Sequence, residues 1–318
     1  MGNDRPPDGF LRAADLVILA GEIRPREGRA WLVGWHGTRG VLRRQPAPAV
    51  RAASLVEDVA WLHNFLARLA GLGFPSPRPL PCFAGQSWTM TDGVLWEVVS
   101  FLPGHAICWA AVPPMEEIGG LLARYHAAAR QIRPTSQRRG ALPLADVPGV
   151  LLSRRLAVVP AEPQSIIRRL AAQLTRDLDN TAPLRSEQVV IHGDFTNDNV
   201  IADGTPPRAT AVIDFANAHA ETPLADIGYG LWRSGRPHEQ SDHLDFSRAR
   251  RFLRGYTSIV QLSPDQVAII PIYLRGRGLQ MIAKRVRAGQ NDTGMLAQVQ
   301  WLTAHADALA ETLASVLP

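Results

Sequence analysis

Two short β-branched runs, Val189-Val190-Ile191 and Ala211-Val212-Ile213, interrupt the otherwise helical later part of the chain, and each empties into a polar cluster. A pure helical bundle cannot hold that pattern. Around them the apolar periodicity is helical over residues 114–129, 163–179, 247–260, 264–286 and 293–317, several runs carrying a proline near the start. The early part reads differently. Residues 29–35 and 40–44 form two short apolar runs about the turn His36-Gly37-Thr38-Arg39, residues 53–69 have helical spacing ended by Gly71 and Gly73, and residues 87–90 and 94–102 return to strand character around Asp92-Gly93. The expectation is an α+β chain of two lobes. A small sheet-containing N-terminal lobe over residues 1–103 and a larger, mostly helical lobe over residues 104–318 are joined near residues 100–105, with a ligand cleft between them.

Composition narrows the function. With 46% hydrophobic and 20% charged residues over 318 positions, the chain has a full core and is not disordered. The net charge of +5 comes from arginines interleaved with acids, Lys284 being the one lysine, so the concentrated basic stripe of a nucleic-acid binder is missing. The apolar run at residues 16–20 is too short for a signal-peptide core or a membrane span. Cys82 and Cys108 lack CxxC spacing, which points away from zinc and from a disulfide framework. A cytoplasmic protein with no membrane or nucleic-acid partner is expected.

The chemistry sits in the two polar clusters. His192-Gly193-Asp194-Phe195-Thr196-Asn197-Asp198-Asn199 follows the first run, and Asp214-Phe215 ends the second, with a turn expected at Asp203-Gly204. Phosphoryl transfer needs a group to orient and accept the proton of the attacking hydroxyl, and hard oxygen ligands for the magnesium on the nucleotide phosphates. Asp194 suits the first role. Asn199, five residues later on the same loop, and Asp214 on the adjacent strand suit the second.

These segments resemble the aminoglycoside phosphotransferase and choline kinase group, relatives of the protein kinases, whose catalytic loop reads H-G-D-x-x-x-x-N and whose metal segment reads I-D-[FW]. The resemblance implies a protein-kinase-like bilobal fold and a Mg²⁺·ATP-dependent phosphotransferase, with GTP the alternative nucleotide, acting on a hydroxyl of a small molecule. Asp194 would be the catalytic base and Asn199 and Asp214 the magnesium ligands. His192 and Gly193 would shape the loop, and Asp226, in Pro223-Leu224-Ala225-Asp226-Ile227-Gly228, would tie it down.

The small lobe follows the pattern less closely. The family places a basic residue on a central strand to grip the nucleotide phosphates and pairs it with an acid on the next helix. No lysine stands there, and Arg43 in Val41-Leu42-Arg43 occupies the expected place, with Glu57 as its helix partner and Asp58 the alternative. Val99 and Phe101, in Val98-Val99-Ser100-Phe101, are expected to line the adenine with backbone donors and acceptors. The stretch Gly21 to Gly28 has glycines only at its ends and lacks the G-x-G-x-x-G form of a phosphate cover.

From Gly228 onward basic residues outnumber acids, which favours a neutral or anionic acceptor over a polycationic one. An antibiotic and a homoserine-like or other metabolite both stand as acceptors. Arg275 and Arg277 either reach an anionic group or lie at the surface, and residues 238–243 read as a solvated loop. A nucleotide-binding pseudokinase with a sensing or scaffolding role is the competing reading, motivated by the absent lysine and the poor glycine loop.

Overall fold

A computed structural model describes residues 6–22, 29–46, 49–107, 115–133, 142–185 and 187–317. Cys108 and residues 23–28 of the expected phosphate cover lie outside them. The chain divides into two compact units, and the boundary falls between Pro103 and Gly104.

In the first unit, strands β1 (Val17–Glu22), β2 (Arg29–Trp35), β3 (Thr38–Pro46), β4 (Trp88–Thr91) and β5 (Val94–Ser100) form an antiparallel sheet of order β1-β2-β3-β5-β4. The apolar run at residues 16–20, too short for a targeting segment, supplies the edge strand β1. Both two-residue hairpin turns hold positive φ at their central positions, 44° and 78° at His36 and Gly37, 50° and 70° at Asp92 and Gly93. That is the type I′ geometry whose twist matches the flanking strands. Strand alternation then sorts the side chains. Leu42, Trp96 and Val98 join Trp31, Val33 and Leu11 in a core beneath the short helix α1 (Asp8–Ala13), whereas Arg43 and Glu97 point to the opposite face. The long helix α2 (Ala49–Gly71) reaches that opposite face through His63. Cys82 is buried, which pushes its thiol up to about 12 and leaves it unreactive.

The second unit is helical around two small sheets. The three-stranded one pairs β6 (His105–Ala106), β8 (Val200–Asp203) and β9 (Arg208–Val212), and the two-stranded one pairs β7 (Val189–Ile191) with β10 (His219–Glu221). Helices α3 (Met115–Ala129), α4 (Val147–Leu151), α5 (Ala161–Asn180), α6 (Pro223–Gly235) and α7 (Phe246–Thr257) surround them. The single run expected over residues 264–286 is two helices, α8 (Pro264–Ala268) and α9 (Ile270–Arg287). Ser263 and Gln266 close a capping box on α8, and Pro271, with no N–H to give, opens α9. The run over residues 293–317 likewise splits into α10 (Leu296–Ala304) and α11 (Ala306–Ala314) at His305, whose ring stacks on Trp301 at 4.2 Å. Among the described residues no helix is long and apolar enough to cross a membrane.

Candidate functional site

The loop after β7 is anchored from below by one side chain. Asp226, on the first turn of α6, is fully buried and accepts the N–H of His192 (2.6 Å) and of Gly193 (2.8 Å). His126 Nε2 lies 3.2 Å from the same carboxylate, and the Tyr256 hydroxyl lies 2.9 Å from His126 Nδ1. Burial pushes the Asp226 carboxyl up, but hydrogen bonding and charge from the histidines outweigh it and hold it below the usual carboxylate range. Burial also lowers the pKa of His126, consistent with a neutral ring that donates to Asp226 and accepts from Tyr256. Asp226 thus ties down the loop as the resemblance implies. Gly193 has φ +72°, and a Cβ there would come within 2.3 Å of the Asn217 carbonyl oxygen, so glycine is required. The His192 ring accepts the Asp194 N–H at Nδ1 (3.2 Å) and places Nε2 3.0 Å from the Ile213 carbonyl, linking the two polar clusters.

Those links bring Asp194, Asn199 and Asp214 together. Val200 pairs with Val212 in the β8–β9 ladder, and the Ile213 N–H donates to the Asn199 carbonyl at 2.8 Å, so Asn199 and Asp214 stand side by side at the base of one hairpin. Asn199 Nδ2 donates to the Asp194 carbonyl at 2.9 Å, which turns its side-chain oxygen the other way. Asp214 is exposed and left-handed at φ 62° and ψ 64°, a conformation that costs about 1–2 kcal/mol and that aspartate tolerates better than most residues. A half-buried carboxylate, an amide oxygen and an exposed carboxylate are hard oxygen donors, the chemistry magnesium takes.

Arg275 and Arg277 are not surface residues: they are 6% and 8% exposed. Arg275 pairs with Asp177, and Arg277 Nη2 lies 3.5 Å from Asp194 Oδ1 with its guanidinium 4.1 Å over the Tyr229 ring. Arg233, one helical turn beyond Tyr229 on α6, is 3.5 Å from Asp198 on the loop. Residues 238–240, 242 and 243 are exposed, as a solvated loop requires.

In the first unit Arg43 Nη1 lies 3.6 Å from Glu97 Oε1, directly across the β3–β5 ladder. Glu97 is buried and also meets His63 Nε2 at 2.7 Å, while His63 Nδ1 lies 2.6 Å from the Ser87 hydroxyl. Glu57 is on the exposed side of α2. Sequence reading missed Glu97 and His63, since nothing in strand or helix spacing announces a pairing across 34 residues. The N–H groups expected to face adenine are already used: Val99 pairs with Val41, and the N–H of Ser100 and of Phe101 donate to the Arg78 and Arg39 carbonyls at 2.7 and 2.9 Å. Val99 and Phe101 therefore offer side chains and carbonyls rather than N–H donors.

Comparison with known proteins gives the family and the fold. A phosphotransferase enzyme family, APH, matches residues 22–259, and the chain belongs to that family. Homoserine kinases from Brucella anthropi and Granulibacter bethesdensis are similar to it, at 28% identity over 230 residues and 27% over 235, covering 72% of this chain and 68% and 69% of theirs. Among solved structures, a microcompartment-associated aminopropanol kinase superposes with a TM-score of 0.65 at 18% identity, covering 93% of this chain and 91% of that one. An amicoumacin kinase in complex with AMP-PNP, Ca²⁺ and Ami does so at 0.64 and 14%, covering 96% and 94%. The fold is the protein-kinase-like one of these enzymes.

Proposed function

We propose that this ATP-dependent small-molecule phosphotransferase uses Asp194 as the proton acceptor, Asn199 and Asp214 to hold Mg²⁺, and Arg43 to steady the nucleotide phosphates. The convergence of Asp194, Asn199 and Asp214 through the Ile213 and His192 hydrogen bonds carries the reading. In the transfer, the acceptor hydroxyl gives its proton to Asp194 while its oxygen bonds to the γ-phosphorus. The bond from that phosphorus to the β–γ bridging oxygen breaks, and the electron pair leaves on ADP. Magnesium would neutralise charge on the phosphates. Asn199 orients Asp194 through its amide, and Asp226 keeps the loop in place from below.

On the nucleotide, Arg43 is kept in position by Glu97, Val99 and Phe101 supply apolar surface for the base, and Glu57 is the acid of the following helix α2. The N-terminal unit to Pro103 serves the nucleotide and the remainder serves catalysis and the acceptor. The reaction belongs in the cytoplasm, where ATP is supplied. An intact set of oxygen donors argues against a pseudokinase, and the family match and the named relatives lend that alternative nothing.

The test is a panel of hydroxyl-bearing amino acids, amino alcohols and aminoglycosides incubated with Mg²⁺ and ATP, with transferred phosphate read by mass. The native chain yields a phosphorylated acceptor and an equal amount of ADP, and Asp194→Asn slows it by about 10³-fold without changing its melting temperature by more than a few degrees. Nucleotide binding without turnover across the panel would instead favour the pseudokinase.

A further inference from the structure

Four side chains of the first unit are joined in series, Ser87 to His63 to Glu97 to Arg43. The Ser87 hydroxyl lies 2.6 Å from His63 Nδ1, His63 Nε2 lies 2.7 Å from Glu97 Oε2, and Arg43 Nη1 lies 3.6 Å from Glu97 Oε1. His63 and Glu97 are buried, whereas the Arg43 side chain is 37% exposed, so the series ends on a cation that a ligand can reach. The sheet fixes three of the four. Glu97 stands directly opposite Arg43 in the β3–β5 ladder, and the Val98 N–H donates to the Ser87 carbonyl at 2.9 Å, which ties Ser87 to the same strand. His63 comes from α2, and through it the helix grips the acid that stands on β5.

An ionised carboxylate only accepts hydrogen bonds, so His63 Nε2 carries a proton and donates to Glu97 whatever the charge on the ring. A serine hydroxyl gives or takes, so Ser87 suits Nδ1 in either case and fixes the plane of the imidazole. A buried carboxylate that loses a donor is costly, and a guanidinium beside it can span both oxygens with two parallel N–H bonds. His63 blocks that closure by holding Oε2, so Glu97 aligns Arg43 through Oε1 and does not draw the whole fork inward.

We infer that His63 is a positioning residue for nucleotide binding: by occupying one oxygen of Glu97 it keeps Arg43 where its guanidinium meets the phosphates. The inference rests on the reading of Arg43 given above.

Titration calorimetry with Mg²⁺ and AMP-PNP tests it and needs no acceptor. His63→Asn still faces Ser87 but is too short to reach Glu97, and it weakens binding by about tenfold; His63→Gln, whose amide nitrogen falls near the native Nε2, stays within about threefold of the native protein. In an Arg43→Gln background, itself weakened by about tenfold, His63→Asn adds less than about twofold, because its effect passes through Arg43. A histidine that only fills the interior would lower the melting temperature and leave nucleotide affinity unchanged. Native affinity in His63→Asn, no rescue in His63→Gln, or an undiminished loss in the Arg43→Gln background overturns the inference. If Arg43→Gln alone binds as tightly as the native protein, the phosphate role of Arg43 falls and the inference falls with it; if Arg43→Gln weakens binding and His63→Asn does not, the inference falls alone. A native protein that binds neither AMP-PNP nor GMP-PNP removes both. Should the His63 variants not fold, Ser87→Ala, which lets the ring swing away from Glu97, decides: binding weakened by about threefold supports the inference, and unchanged binding overturns it.

Discussion

Asp226 holds two backbone N–H groups with the two oxygens of one buried carboxylate. Asp226→Ala leaves both donors unpaired in the interior and lowers stability by about 4 kcal/mol, measurable by urea denaturation. Its neighbour His126 makes the fold sensitive to acid. The His126 pKa is lowered in the native protein from an ordinary 6.5, chiefly by burial, so the unfolded chain binds the proton first. The associated stability is therefore present above pH 6.5 and is lost as pH falls from there toward the native value; Asp226, lowered from 3.8, adds a second loss at still lower pH. His126→Gln flattens the fall in melting temperature between pH 7 and pH 5, and an unchanged slope would show that other groups set it. At Gly193 a β-carbon meets both a positive φ and the Asn217 carbonyl, so Gly193→Ala costs about 3 kcal/mol and is detected as a lower melting temperature. The loop motif was legible because its residues are close in sequence. Arg277 and Asp194 are 83 positions apart, and only the packing of α9 against α6 joins them.

Helices α3 and α7 approach so closely that backbone takes the place of side chain at their crossing. A β-carbon on Gly119 would stand 2.0 Å from the Phe252 carbonyl oxygen, and one on Gly255 would stand 2.0 Å from that of Glu116. Gly119→Ala or Gly255→Ala must part the two helices and costs about 3 kcal/mol, whereas Gly149→Ala on α4, with open space around it, changes stability by less than about 1 kcal/mol in the stabilising direction. Chemical denaturation of the three variants separates these outcomes. Apart from α1, α4 and α6, helix positions were readable from 3.6-residue periodicity, which reports burial on one face. Their interruptions were not, because Pro271 at an N-terminus and His305 stacked on Trp301 break the backbone without breaking the apolar pattern. Strand β10 was invisible for another reason: His219-Ala220-Glu221 is three residues long with no β-branched or large apolar side chain, and is a strand only because β7 is there to pair with it.

For the molecule as a whole, ligand binding and folding are linked. Mg²⁺ with ATP at 100 times its dissociation constant raises native stability by about 2.7 kcal/mol, seen as a higher melting temperature. Chelation with EDTA, or Asp214→Ala, removes the part of that rise that depends on the metal, and a rise unaffected by either would mean that Asp214 holds no ion. The division into a sheet-bearing unit and a helical one was readable from the change in periodicity near Pro103, since each unit fills its own core.

The pair Asn199 and Asp214 stands at the root of the β8–β9 hairpin, and the hairpin's exposed tip, residues 203–206, is at the other end of the ladder. Backbone bonding near the root, not the length of the tip, sets the spacing of those two residues. An epitope or fluorophore-bearing peptide spliced in after Gly204 would therefore leave turnover intact, giving a reporter site on the same hairpin that carries the chemistry.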